Sequence, residues 1–279
     1  MHWPRLRGVS AEEKRTKFRE LHIKGSPLIM PNPADQGSAR VLASLGFSAL
    51  ATTSGGYAAT LGRPDYRVCR DEAIAHAAAI VSSVEVPVSA DLENGFADRP
   101  EDVAMTVHMA VEVGLAGCSV EDFTTRADAP LYSISEAAER VAAAAEAAHH
   151  DRGPGLVLTA RAENYLRGRP DLADTIRRLS VFQEAGADVL YAPGLADLSE
   201  ISAVVAAVDL PVNVLLVPGG PGVTELAGVG VARISVGTSF HNVMLGALAR
   251  AGRQLLEDGS CAWMDLAAEG RKAAAAAFS

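Results

Sequence analysis

The sequence predicts an α/β fold: a (β/α)8 barrel with an extra helix at its N-terminal end and extra helices at its C-terminal end. Three observations predict it. Eight short apolar runs alternate with Ala-rich stretches of helical periodicity along the chain, and right-handed strand–helix–strand units of that kind force parallel pairing and close naturally at eight. The 279 residues suit one barrel, so residues 1–279 are taken as a single domain. Hydrophobic residues make up 49% and aromatics only 5%, which gives the Ala, Val, Leu and Ile core of a helix-covered parallel sheet. A doubly wound open sheet is the rival, but it carries a Gly-rich phosphate loop after its first strand, and PNPADQGSA (31–39) is not one.

The elements follow in order. SAEEKRTKFRELH (10–22) sets a Ser cap before two acids and ends on basic residues, which predicts a leading helix. Strands are predicted within SPLIMP (26–31), FSALATTS (47–54), VPVSADLE (86–93) and GCSVED (117–122). Four more lie within GLVLTARAE (155–163), ADVLYAPG (187–194), LPVNVLLVPG (210–219) and VARISVG (231–237). Between them PEDVAMTVHMAVEVG, SISEAAERVAAAAEAAHH and DLADTIRRLSVFQEAGAD open near Pro, Ser or Asp, as helices do. From about residue 239 the pattern holds two or more helices beyond the last strand, to close the barrel or reach a neighbouring subunit.

A net charge of −9, from 34 acids against 25 bases, argues against a nucleic-acid partner. Three cysteines without CxxC spacing form neither a disulfide framework nor a zinc site. The start, MHWPRLRG, shows no apolar signal region, and no apolar run reaches the ~18 residues of a membrane span. A cytoplasmic protein with no membrane partner is expected.

In a barrel the active site forms where strands pass into the following loops. Polar residues gather there: Thr53, Ser54, Gly55 and Gly56 after the second strand; Asp91, Glu93 and Asn94 after the third; Glu121 and Asp122 after the fourth. Arg161, Glu163 and Asn164 end the fifth, Tyr191 ends the sixth and Asn213 lies in the seventh. Crowded carboxylates repel, and a cation relieves that cost. Oxygen-only ligands favour Mg2+ or Mn2+ over zinc. Asp91 and Glu93, two apart in a strand, share a face, and Glu121 ends the next strand, so one metal is expected to touch all three; the alternative is that they are caps or surface acids. Arg161 either pairs with Glu163 or Glu121 or grips a substrate carboxylate, and Ser54 with the glycines after it offers backbone N–H groups. His76, His108, His149 and His150 fall within helical pattern without metal-binding spacing. GGPG (219–222) reads as a phosphate-binding turn or a rigid loop.

Seven stretches, PNPAD (31–35), TTSGGYAATLGRPD (52–65), SADLENGF (89–96), SVED (119–122), TARAEN (159–164), ADVLYAPG (187–194) and PVNV (211–214), resemble the isocitrate lyase and phosphoenolpyruvate mutase superfamily in family order. The resemblance implies a dimer or tetramer that exchanges its last helices between subunits. It implies Mg2+ bound directly by Asp91, with Glu93 and Glu121 acting through waters, and a substrate carboxylate held by Arg161 and the Ser54–Gly56 loop. Asp65 matches an aspartate near the transferring group of the phosphonomutases. The shared chemistry is a pyruvate-like enolate, formed by breaking or making a C–C bond in the lyases and a P–C bond in the mutases. The sequence departs from both patterns after the fourth strand. EDFTTRADAPLYS (121–133) lacks the lyases' Lys-Lys/Arg-Cys-Gly-His motif, and Phe123 stands where the mutases have a Lys. A tryptophan frequent in the first motif is replaced around Ala34, and Glu93 stands for an aspartate. The expectation is a Mg2+-dependent lyase acting on a small 2-oxo or 2-hydroxy (di)carboxylate, and not isocitrate or methylisocitrate lyase itself. Phosphoenolpyruvate or phosphonopyruvate chemistry at Asp65, and a ligand-binding barrel without catalysis, are the alternatives.

Overall fold

A computed structural model of the chain describes residues 9–150, 153–257 and 259–279. The reading of the MHWPRLRG start lies outside the described residues. Eight strands form, each inside its predicted run: β1 (Leu28–Met30), β2 (Leu50–Ala51), β3 (Val88–Asp91), β4 (Gly117–Glu121), β5 (Val157–Arg161), β6 (Val189–Tyr191), β7 (Val212–Leu215) and β8 (Arg233–Ser235). The helices are α1 (Ala11–Glu20), α2 (Gln36–Ser44), α3 (Ser54–Thr60), α4 (Arg70–Ser83), α5 (Pro100–Glu112), α6 (Ile134–Ala148), α7 (Leu172–Glu184), α8 (Leu198–Ala207), α9 (Val223–Gly228), α10 (Ser239–Glu257) and α11 (Met264–Phe278).

All pairings are parallel, in the order β1-β8-β7-β6-β5-β4-β3-β2. The seam between β1 and β2 is bridged where the Ala51 N–H donates to the Pro31 carbonyl at 3.1 Å, which brings the sheet round into the predicted barrel. Helix starts follow the predicted caps. Ser10 and Glu13 form a capping box on α1, Ser133 and Glu136 another on α6, Pro100 opens α5, and Asp171 caps α7.

The α1 helix closes the bottom of the barrel. Arg15 donates from Nε to the Leu115 carbonyl at 3.0 Å and from Nη2 to the Val111 carbonyl at 2.8 Å, and Lys14 Nζ donates to the Val84 carbonyl at 2.8 Å. These cations satisfy carbonyls at the ends of α4 and α5, where the helix dipole also favours positive charge. Phe18, fully buried, packs with Leu28, Met30, Ala49, Ala51, Ala116, Val157 and Val189 into an apolar plug. A larger core lies between the sheet and the outer helices and includes Ile80, Val107, Leu158, Phe182 and Leu190.

The surplus helix at the C-terminus is α10 and α11. In this chain α11 packs on α2, with the Arg40 guanidinium 5.5 Å from the centre of the Phe278 ring. The α10 helix exposes Val243, Leu248 and Leu256. Among the described residues no helix is long and apolar enough to cross a membrane, and Cys69, Cys118 and Cys261 are all free thiols.

Candidate active site

The carboxyl ends of the strands open into a cavity of about 290 Å³. Its wall brings together seven residues predicted from sequence: Thr53, Ser54, Asp65, Asp91, Arg161, Tyr191 and Asn213. Asp91, Arg161, Tyr191 and Asn213 sit there because β-strand alternation sends every second side chain inward, while Thr53 and Ser54 come from the start of α3 and Asp65 from the loop after it. Glu121, Arg161, Tyr191, Asn213 and Arg233 are successive register neighbours across five strands.

Arg161 is the hub. Its Nη1 lies 3.0 Å from Asp91 Oδ1, its Nη2 lies 3.0 Å from Glu121 Oε2, and both Nη2 and Nε donate to Glu163 Oε1 at 2.8 and 3.0 Å. Tyr191 lies beside it, 5.3 Å from ring centre to guanidinium carbon. Burial works against this charge, but Glu121, Glu163 and Asp91 together hold Arg161 protonated well above its usual range. Both readings of Arg161 made from sequence therefore meet at one position: it is a buried ion-pair partner, and it faces the cavity.

The acids outnumber the bases. Asp65, Asp91, Glu93, Glu121 and Glu163 face only Arg161 and Arg167. Burial, followed by repulsion from Asp91 and Asp65, pushes the Glu93 carboxyl up to about 8. Burial and the neighbouring Asp91 also raise Asp65. Glu121 is raised by burial and by Glu163 and Asp91, against the pull of Arg161. Glu93 Oε1 is buried with no hydrogen-bond partner, and Glu93 itself adopts a left-handed backbone, φ +50°. Strain of that kind in a non-glycine residue persists only where the surroundings impose it.

The three predicted metal ligands do not share one wall. Asp91 lines the main cavity; Glu93 borders a small adjoining one with His76; Glu121 lies beneath Tyr66 and Arg161. Among the described residues no three such side chains form a ready metal cage, and the Arg161 guanidinium stands between Asp91 and Glu121. In kind the donors fit a hard divalent cation, being all oxygen, over-charged and partly unpartnered.

Ser54 begins α3 and binds Asp91 Oδ2 through its Oγ at 3.1 Å and its N–H at 3.4 Å. Thr53 caps that helix by accepting the Gly56 N–H at 3.3 Å. Gly55 and Gly56 lie in its first turn, behind the wall. A Cβ on Gly55 would come within 2.9 Å of Thr238 Oγ1 and 3.1 Å of Asp65 Oδ2, so glycine lets Asp65 and Thr238 close on the mouth. Asn213 points at its neighbours, donating to Ser235 Oγ at 3.0 Å and accepting from Arg233 Nε at 3.0 Å. The 219–222 turn leads into α9 and takes no part in the cavity wall.

Sequence reasoning missed three contributors. Tyr66, φ +61°, donates to Glu121 Oε1 at 2.7 Å and accepts from Arg167. Arg167 lies 3.5 Å over the Phe123 ring and pairs with Glu163 Oε2 at 3.0 Å. Arg233 reaches the cavity floor. An arginine inside the predicted strand VARISVG was the available signal for Arg233; Tyr66 and Arg167 lie in loops whose course no local pattern reveals.

The profile of the phosphoenolpyruvate phosphomutase family matches residues 18–256. The chain belongs to that family. Among solved structures it resembles a provisionally named lyase/mutase from Burkholderia cenocepacia J2315, with 48% identity, a TM-score of 0.90 and coverage of 94% of this chain and 95% of that one. An uncharacterised protein of Mycobacterium tuberculosis H37Rv is 34% identical over 85% of this chain and 87% of its own. An oxaloacetate decarboxylase of Ectopseudomonas mendocina is 29% identical over 82% and 79%. The motifs read from sequence thus fall in the superfamily they resembled, whose members include lyases and mutases. Within this family member, the segment after β4 folds back tightly, with Phe123 bridged to Leu131 and the Thr124 N–H donating to the Pro130 carbonyl at 2.9 Å.

Proposed function

We propose that the chain is a Mg2+-dependent lyase that cleaves or decarboxylates a small 2-oxo or 2-hydroxy dicarboxylate through a pyruvate-like enolate. One observation carries the reading: five clustered carboxylates, of which Asp65 and Asp91 line the cavity, share the guanidinium groups of Arg161 and Arg167, with a buried Glu93 oxygen left unpartnered. Asp91, Glu93 and Glu121 would hold the Mg2+, with Mn2+ able to replace it. When bound, such an ion supplies positive charge to oxygen atoms that gain negative charge as the enolate forms.

The chain's own groups do the rest. Arg161, whose side chain reaches the cavity wall, would take the substrate's carboxylate in a charge-assisted hydrogen bond. Ser54, at the start of α3, would hold the same substrate carboxylate beside Thr53 and the Gly55–Gly56 turn. Tyr191 keeps the guanidinium in place, and the cavity walls exclude bulk water so that these charges act strongly on the developing enolate. The kinship with an oxaloacetate decarboxylase supports the substrate class. Purified protein with Mg2+ is expected to release pyruvate or a related 2-oxo acid from oxaloacetate or a substituted malate. No turnover across such a panel, with Mg2+ bound, contradicts the reading and favours a ligand-binding barrel.

Asp65 supports a second reading. It lines the cavity beside Ser54 with a raised carboxyl, a place suited to a transferring phosphoryl group, and a phosphonate signal gained or lost in phosphorus NMR is its test. We also propose a homodimer or homotetramer in which a second copy covers Val243, Leu248 and Leu256 of α10. Light scattering is expected to give a multiple of the chain mass, and a monomer at working concentration contradicts it.

A further inference from the structure

The floor of the cavity holds a cation to which the proposed reaction gives no task. Arg233, at the start of β8, is 2% exposed. All its polar contacts are neutral: Nε donates to Asn213 Oδ1 at 3.0 Å, Nη2 donates to Thr159 Oγ1 at 2.9 Å, and Nη1 lies 3.1 Å from His22 Nε2. Burial first, then Arg233 itself, depresses His22 to about 3, so the ring is neutral and accepts from the guanidinium. Among the described residues Arg233 forms no ion pair with a carboxylate; burial pulls it down to about 10. A buried charge without a counter-ion is costly and calls for an explanation.

The surroundings supply one. Ser89, Ser119, Asn213 and Ser235, from four strands, line the same cavity as Arg233, immediately above the aliphatic plug around Phe18. A purely structural barrel interior is filled with branched aliphatic side chains. A guanidinium has five N–H donors, and three are engaged, which leaves one on each terminal nitrogen. The cavity therefore has a guanidinium at each end: Arg161 at the mouth among acids, and Arg233 at the floor among hydroxyls.

We propose that Arg233, with the hydroxyls of Ser89, Ser119 and Ser235, is a subsite for the second carboxylate of a dicarboxylate whose 2-oxo or 2-hydroxy acid end lies at the mouth. The inference rests on the reading of the mouth given above. A carboxylate at the floor takes both remaining N–H groups in a charge-assisted pair and neutralises the buried cation. An acid ending in a methyl group leaves that cation unpaired, so the floor discriminates against monocarboxylates by more than the lost contact alone.

Malate and lactate differ by this one carboxylate and are stable in solution, so calorimetric titration of each into the Mg2+-loaded protein reads the subsite directly. The wild type is expected to bind malate about tenfold or more tightly than lactate. Arg233→Gln brings the ratio close to one with lactate affinity retained, and Arg233→Lys recovers part of it. Ser119→Val, which leaves the guanidinium in place and fills the floor with methyl groups, also lowers the ratio. An unchanged ratio in Arg233→Gln, or an equal loss of both ligands, overturns the subsite while leaving the mouth intact. A wild type that binds neither acid contradicts the mouth and the floor together.

Discussion

Arg161 and Asp91 meet at 3.0 Å across the mouth of the barrel, a guanidinium closing on the carboxylate proposed to hold the metal. That oxygen cannot serve both partners at full strength. A cation held by Asp91 would compete with Arg161 for the same carboxylate, so loading the proposed site would weaken this ion pair.

Replacing Arg161 by Met removes the one partner among the described residues that reaches Asp91, Glu121 and Glu163 at once, and leaves Glu121 and Glu163 buried. Breaking a buried pair in this way costs about 3–5 kcal/mol. Scanning calorimetry is expected to show a markedly lower melting temperature, part of which Mg2+ restores by supplying charge to the same acids. Wild-type stability in the variant would mean that the acids are already neutral.

Glu93 sets a pH dependence. Its folded-state value of about 8 lies above its ordinary 4.5, so between those limits the folded chain binds the extra proton. Metal-free protein therefore loses stability as pH rises from about 4.5 to 8, because across that window the folded state holds a proton that the unfolded state does not, and this contribution is gone above the folded value. Mg2+ affinity moves the other way, rising towards pH 8 as the proton to be displaced is lost. Thermal melts across this range are expected to show the decline in wild type and a flatter profile in Glu93→Gln. A wild-type profile that rises over the same window contradicts the assignment.

Gly117 and Phe18 make a packing test away from the site. A Cβ at Gly117 would lie 2.6 Å from Phe18 Cε1 and 2.9 Å from the Val157 carbonyl oxygen, so Gly117→Ala overpacks the plug and costs about 1–3 kcal/mol. Phe18→Ala costs about 3–5 kcal/mol by opening a cavity. The double variant is expected to be more stable than the sum of the two losses allows, since removing the ring relieves the clash. Strict additivity in urea unfolding would show that the two do not press on each other.

The strands were legible because each is a short apolar run bounded by Gly, Pro or polar residues, and the helix starts because Ser10, Ser133 and Asp171 carry their own caps. The Ser54–Gly56 segment read as a loop offering N–H groups, and it is the first turn of helix α3: Thr53 caps it, although two glycines have poor helix propensity. Six wall residues were legible because strand ends mark the mouth, and Asp65, between α3 and α4, only through the family resemblance. Arg167 was not, since its place depends on Phe123, 44 positions earlier, lying beneath it. The role of Asn213 was also hidden: it turns to Arg233 and Ser235, a pairing set by register across β7 and β8 and invisible in either strand alone.

The acids at the mouth are proposed to form a divalent cation site centred on Asp91. Isothermal titration of Mg2+ into metal-free protein tests it most directly, with Asp91→Ala as the comparison. One ion is expected to bind each wild-type chain, with proton release near neutral pH, and Asp91→Ala is expected to lose that binding while keeping its fold by circular dichroism. Binding of equal affinity in the two proteins, or none in the wild type, would contradict the account.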